Sequence, residues 1–348
     1  MEQQYIFLIL GFILLIGGSE ILIRGSVNLA SILNVSPFIV GVVIVAGGTS
    51  LPELAACLQS IRLNVEDIVI GNIVGSNIAN ILLIIGAVAI VHPIIGEKNT
   101  YQKPDTAFSF VHRIAFHVGK SKEGILKNKS DFVAILSAIL FIYCCLNGVI
   151  TSKEGIFMLV SLGIFIFIIF SNKQNEINNQ DEKNLSVWLA IIFLVGGLIG
   201  VILGSNLFIL GASSIASDFG ISETIIGITI VAVGTSLPEL TTGLMAAFKR
   251  QTDFAIGNIL GSNIYNILGI LGVSSLLSDL SIPINLTRKI KIEEIGININ
   301  FNSITYDAWF ILIITLLFVY LLRKRARIGR KTGIAFLVAY FTYILLSF

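Results

Sequence analysis

The chain has 348 residues, 55% of them hydrophobic and only 13% charged, with mean hydropathy +0.91 and formal net charge +2. Soluble domains carry about 25% charged residues, so a water-soluble fold is excluded, and the net charge is too small to imply a nucleic-acid partner. The surface that Lys and Glu would normally cover must face lipid, because a helix of roughly 20 apolar residues crosses the hydrocarbon core.

Ten spanning helices are predicted, near 5–33, 37–61, 66–91, 132–150, 154–171, 185–217, 222–248, 253–279, 307–322 and 332–347. The opening MEQQYIFLIL lacks the basic n-region of a cleaved signal peptide, so the first run is expected to stay as a helix. The first and sixth runs exceed the bilayer thickness at about 1.5 Å per residue and should be tilted. Gly17, Gly18 and Gly25 in the first, and Gly196, Gly200 and Gly204 in the sixth, recur at helical spacing. Small residues so placed let helices approach closely; they serve either tight packing or a smooth surface on which helices slide. Cys57, Cys144 and Cys145 all lie inside apolar runs, so no disulfide framework is expected.

Orientation follows from Lys and Arg. The loops on one side (92–131, 172–184, 249–252, 323–331) hold seventeen basic residues and those on the other (62–65, 151–153, 280–306) hold five. The first set is therefore assigned to the cytoplasm and both termini to the outside. Two polar stretches fall outside this frame. Residues 94–131 carry His112 and His117, and residues 281–306 alternate in a way that suggests a small hairpin; otherwise both read as surface loops. Three scattered His residues give no metal site.

The strongest signal is internal. Residues 18–86 align with 204–272 at a constant offset of 186, without a gap, and 34 of the 69 pairs are identical. GTSLPEL occurs at 48–54 and again at 234–240; GNIVGSNIANIL at 71–82 returns as GNILGSNIYNIL at 257–268. Five spans separate equivalent positions, so the copies enter the membrane in opposite orientations, which is the inverted-repeat plan of secondary transporters. The expected division is a first repeat unit over 1–171, a linker over 172–184 and a second unit over 185–348.

Each GTSLPEL sits in the middle of an apolar span. Pro52 removes an amide donor and crowds the preceding turn, and Gly47 and Gly48 loosen the backbone there. A helix broken halfway is expected, with carbonyls freed near Ala46 and Thr49, and the same near Ala232, Gly234, Thr235 and Pro238. Such backbone is tolerated at membrane depth only where it lines a cavity.

Glu53 and Glu239 fall near the bilayer centre, where an ionised carboxylate costs several kcal/mol or must be paired. No Lys or Arg lies at matching depth in the neighbouring spans. A bound cation is the natural counter-charge; a protonated Glu hydrogen-bonded to a neighbouring helix is the alternative. Ser76 and Asn80 are four apart and share one helix face, as do Ser262 and Asn266. With the carboxylates and freed carbonyls they form an all-oxygen shell suited to Na⁺ and Ca²⁺ rather than zinc or copper, or else they hydrogen-bond between helices. Asn72, Asn77, Asn258 and Asn263 are the better candidates for that packing role.

At these residues the chain resembles the cation/Ca²⁺ exchanger superfamily, specifically its sodium/calcium exchanger branch, whose repeats carry GTS-[LMV]-P-[ED] and a downstream GS-x-x-x-[ND]. The match covers both repeats and the ten-helix frame, not the loops 94–131 and 281–306. The resemblance implies an all-α polytopic membrane protein of two inverted five-helix repeats with broken helices at the midplane. It implies ion ligands at Glu53 and Glu239, flanked by Ala46, Thr49, Ser50 and Ser76 from one repeat and Ala232, Thr235, Ser236 and Ser262 from the other. Asn80 and Asn266 complete the set. Potassium-dependent exchangers carry Asp at position 266, as do some prokaryotic relatives that do not use potassium, so Asn266 points towards K⁺-independence.

The implied activity is Na⁺/Ca²⁺ antiport by alternating access, electrogenic, in the plasma membrane, with Ca²⁺ and Na⁺ as the bound ions and no other cofactor. The alternatives are a proton-coupled divalent-cation antiporter and a cation channel. The proton-coupled branch has a glutamate-rich, His-containing second motif that GSNIAN and GSNIYN do not reproduce. An enzyme is not expected: no hydroxyl–base pair or His lies near the glutamates, and no nucleotide-binding motif is present.

Overall fold

A computed structural model describes residues 2–95, 122–171, 185–221, 232–282, 287–292, 297–323 and 327–347. His112 and His117, the linker 172–184 and the start of the seventh span (222–231) lie outside the described residues.

The chain opens with α1 (Glu2–Ile32), a helix of 31 residues. The second span is segmented into α2 (Pro37–Val40), a π-helical turn (Gly41–Val45), α3 (Ala46–Thr49) and α4 (Leu51–Arg62). The third comprises α5 (Asp67–Ile78), a π-helical turn (Ala79–Ile84) and α6 (Ile85–Val91), followed by β1 (Ile94–Ile95). Then come α7 (Lys122–Asn147), β2 (Val149–Ile150) and α8 (Ser152–Ser171). The second repeat runs α9 (Val187–Asp218), α10 (Ala232–Thr235), α11 (Leu237–Phe248), α12 (Thr252–Ile264), a π-helical turn (Tyr265–Ile270) and α13 (Leu271–Leu277). It ends with β3 (Leu280–Ser281), the strands β4 (Thr287–Ile292) and β5 (Ile297–Asn302), α14 (Ser303–Arg323), β6 (Arg327–Ile328) and α15 (Arg330–Ser347).

Eight helical stretches among the described residues are long and apolar enough to cross a bilayer. The halves α10–α11 and the helix α15 occupy the seventh and tenth predicted spans, completing the ten-helix frame. One expected boundary moves: α7 begins at Lys122, ten residues before the fourth apolar run. Its first turns, KEGILKNK, are rich in good helix formers, so the helix extends beyond the apolar stretch. The hairpin expected in 281–306 is present, with Thr287 opposite Asn302 and Ile292 opposite Ile297.

The long helices α1 and α9 lie antiparallel along each other, and their glycines explain why. A methyl group at Gly11 would stand 2.8 Å from the Gly204 carbonyl oxygen, and one at Gly204 would stand 2.9 Å from that of Gly11. Gly18 and Gly197 meet in the same way, at 3.1 and 2.8 Å. A methyl group at Gly25 would stand 2.4 Å from Leu194 N, and one at Gly211 would stand 2.6 Å from Leu8 N. The repeat offset carries 11, 18 and 25 to 197, 204 and 211, so one pattern meets its own copy across a pseudo-two-fold axis, as in an isologous interface.

The seam thus has a seven-residue period, which drifts only about 20° around an α-helix. The spacing expected from the sequence is corrected here: a methyl group at Gly17 or Gly196 would meet nothing within 4 Å. The glycines of this seam let α1 and α9 pack closely against each other. The remaining helices pack as repeat-related pairs, α6 on α15 and α13 on α8, with α14 on α7. Two short clasps tie the ends: Ile94 pairs with Ile328, and Ile150 with Leu280. Apolar residues such as Ile6, Phe12, Phe167 and Leu203 cover the outer faces, as lipid requires.

Candidate functional site

The second span breaks where the sequence demands. Ser50, at φ −82° and ψ 4°, separates α3 from α4, and Ser236, at φ −88° and ψ 4°, separates α10 from α11. Pro52 and Pro238 lie in the first turn of the new half-helices, the position where a missing N–H is tolerated. A helical N–H bonds four residues back, so Pro52 and Pro238 take away the usual helical donors of Gly48 and Gly234, although a backbone N–H at the end of α3 still reaches the Gly48 carbonyl. Ala46 keeps a donor: its carbonyl accepts the Ser50 N–H at 3.1 Å and the Thr49 hydroxyl at 3.4 Å.

Ser50 and Glu53, like Ser236 and Glu239, have the spacing of a capping box, in which the two side chains satisfy the N-terminal amides. Neither serine makes that cap bond. Both glutamates instead point inward from the first turn of a half-helix, where the positive end of the helix dipole favours a carboxylate. Each is only 1% exposed.

The carboxyl groups of Glu53 and Glu239 are neighbours across the two repeats. The hydroxyls of Thr49, Ser50 and Ser262 act on the Glu239 carboxylate, yet both of its oxygens, Glu53 Oε2, Ser50 Oγ and Ser262 Oγ are buried without a hydrogen-bond partner in normal reach. Thr49 and Ser50 belong to the first repeat and Glu239 to the second, so the site is assembled across the repeats. Among the described residues, the ion pairs join Glu20 to Arg24 and Lys249, and Asp131 to Arg323; none involves Glu53 or Glu239.

Asn80 and Asn266 lie in the π-helical turns of the third and eighth spans, an irregularity that the sequence did not reveal. Such turns re-aim side chains and recur at functional sites. The Oδ1 atoms of both residues are buried and without a donor. Asn80 donates its amide to Asn263 Oδ1 at 2.9 Å, and Asn263 donates to the Asn77 carbonyl at 3.5 Å. Asn72 donates to the Glu53 carbonyl at 3.5 Å and Asn77 to that of Ile73 at 2.7 Å; the Thr49 hydroxyl meets Asn258 Oδ1 at 3.5 Å. The four asparagines read as packing residues do hydrogen-bond between or within helices.

Ser76 and Ser236 are buried, and Thr235 is half-buried; they occupy the repeat-equivalent positions of Ser262, Ser50 and Thr49. Ala232 begins α10, as Ala46 begins α3. No group of three or more His, Cys, Asp or Glu side chains exists among the described residues. The chemistry here is that of two carboxylates surrounded by neutral oxygens. An orphaned buried acceptor costs about 1–3 kcal/mol, a cost that a bound cation would offset.

Comparison with known proteins points the same way. A family model described as sodium/calcium exchanger protein matches residues 4–171 and 189–348. An uncharacterized membrane protein of Methanocaldococcus jannaschii is 34% identical over 335 residues, covering 96% of this chain and 94% of the relative. The sodium/calcium exchanger MaX1 of Methanosarcina acetivorans is 29% identical over 326 residues, covering 80% and 84%. A solved structure of the sodium-calcium exchanger NCX_Mj, soaked with Na⁺ and Sr²⁺, matches with TM-score 0.77 at 33% identity, covering 99% of this chain and 98% of that one.

Proposed function

The chain belongs to the sodium/calcium exchanger protein family, and from that premise we propose that it exchanges Na⁺ for Ca²⁺ across a membrane by alternating access. The observation that carries this reading is the pair of buried carboxylates, Glu53 and Glu239, with no basic partner among the described residues and with unpartnered oxygens around them. Ca²⁺ and Na⁺ are its substrates, held by Glu53, Glu239, Thr49, Thr235, Ser50, Ser236, Ser76, Ser262, Asn80, Asn266 and the carbonyls of Ala46 and Ala232. One Ca²⁺ neutralises two carboxylates, whereas the empty site keeps their full charge and resists crossing hydrocarbon. Obligatory exchange follows from that penalty.

The excess of basic residues in one loop set supports an orientation with both termini outside, and the plasma membrane is the proposed location. Three Na⁺ against one Ca²⁺ would move one net charge, making the exchange electrogenic, and Asn266 supports K⁺-independence. ⁴⁵Ca²⁺ uptake into proteoliposomes, driven in turn by Na⁺, K⁺ and H⁺ gradients, tests the reading. Uptake should follow the Na⁺ gradient alone and respond to an imposed potential. Uptake driven by a pH gradient in sodium-free medium would select the proton-coupled alternative. Full-rate exchange by Glu53→Gln would remove the ligand assignment.

A further inference from the structure

Glu20 stands out because it is a half-buried acid in α1 that the ion site does not use. Its Oε1 accepts from Lys249 Nζ at 2.7 Å and from Arg24 Nε at 2.6 Å. Arg24 rides on the same helix one turn away, while Lys249 directly follows α11, the half-helix that begins with Glu239 in its first turn. The bond therefore ties the α1–α9 unit to the broken helix of the second repeat. Glu20 and Lys249 side chains are 29% and 28% exposed. At the repeat-equivalent positions stand Asn206 and Leu63, which form no ion pair. Among the described residues, one face of the protein carries this contact and the opposite face lacks its equivalent.

Two further differences between the copies show the α1–α9 unit seated on that same side. Ser205 of α9 donates to the Gly234 carbonyl at 2.8 Å, the acceptor that Pro238 leaves without a helical donor. Its counterpart in α1, Ser19, is buried and has no partner. Leu51, at the start of α4, is 48% exposed, whereas its counterpart Leu237 at the start of α11 is half-buried.

We propose that Glu20 and Lys249 form a one-sided latch that closes the face bearing Lys249 and biases the protein towards the state open at the other face. The inference rests on the alternating-access reading above. Arg24 makes the latch releasable. When α1 moves, Arg24 travels with Glu20 and keeps its carboxylate paired, so only the Lys249 ammonium, already 28% exposed, is left for water to solvate. Lys249 and Arg24 thus act in opposite senses: one favours closure and the other lowers the cost of opening.

Hydrogen exchange of the amides in 237–250, measured on the full protein in detergent, reads this directly. Glu20→Gln and Lys249→Met should speed that exchange, Arg24→Gln should slow it, and Lys249→Arg should behave as the parent. In oriented vesicles, the half-saturating Ca²⁺ at the Lys249 face should fall by about two- to five-fold in Lys249→Met, the range of a partly exposed ion pair, and rise in Arg24→Gln. A purely structural role predicts that all three removals act in one direction; that result, or no change in any of them, overturns the latch. Absence of Na⁺-driven Ca²⁺ flux in the parent protein would refute the exchange reading instead, and the hydrogen-exchange comparison would still decide the latch.

Discussion

Asn80 donates its amide nitrogen to Asn263 Oδ1 at 2.9 Å, joining the third and eighth spans across the two repeats. That bond fixes which end of the Asn80 amide is free. Its Oδ1, buried and without a donor, is the atom left for a cation. A residue that binds no ion thereby aims one that is a proposed ligand. Asn263→Ala should leave the Asn80 amide unpaired and destabilise the protein by about 1–3 kcal/mol. Thermal unfolding with and without Ca²⁺ checks it: the melting temperature should fall, and the stabilisation gained from Ca²⁺ should shrink.

The seam between α1 and α9 gives a paired test within two adjacent residues. A methyl group at Gly18 would stand 2.7 Å from Val201 N, a backbone atom that cannot step aside, whereas Gly17 has open space. Gly18→Ala should cost about 1–3 kcal/mol, as overpacking does, and Gly17→Ala should be neutral or slightly stabilising through helix propensity. Equal effects in thermal unfolding would refute the assignment of the seam.

Arg323 holds Asp131 through two bonds, Nε at 3.0 Å and Nη2 at 2.7 Å, between α14 and α7. Both side chains are largely buried. Removing the guanidinium takes away these charged hydrogen bonds, so Arg323→Met should destabilise by about 1.5–3 kcal/mol. Loss of protein from the detergent-soluble, monodisperse fraction on heating is the measurement, and ion selectivity should not change in what survives.

Acid should slow exchange by competition. The anionic forms of Glu53 and Glu239 supply the charge that offsets Ca²⁺, so each proton bound removes part of that attraction. Initial rates should fall as pH is lowered, and raising Ca²⁺ at fixed acid pH should restore them. A fall in maximal rate with unchanged half-saturating Ca²⁺ would place the titrating group outside the site.

Much of the site was legible in the chain because repetition amplifies local chemistry. GTSLPEL at 48–54 and 234–240 fixes a break through Pro52 and Pro238, whose missing amides act on their own turn. Glu53 and Glu239 follow one residue later, so their inward position comes with the break. Other features depend on a distant partner. The carbonyl at Gly234 is satisfied by Ser205, 29 residues away in sequence, and the glycines that pack were identifiable only once α1 and α9 were seen together. The π-helical turns that carry Asn80 and Asn266 have no signature in residue type.

The sequence by itself determined that the protein spans a membrane, that it consists of two opposed copies, and that two acids share its centre. Hydropathy, amide geometry and charge are properties each residue brings with it. Tertiary structure decided which positions make different contacts in the two copies. Ser205 is bonded and Ser19 is not; Glu20 reaches Lys249 while Asn206 has no such partner to reach. The physical reason is geometric: a single α1–α9 unit cannot rest on both broken helices in the same way at once.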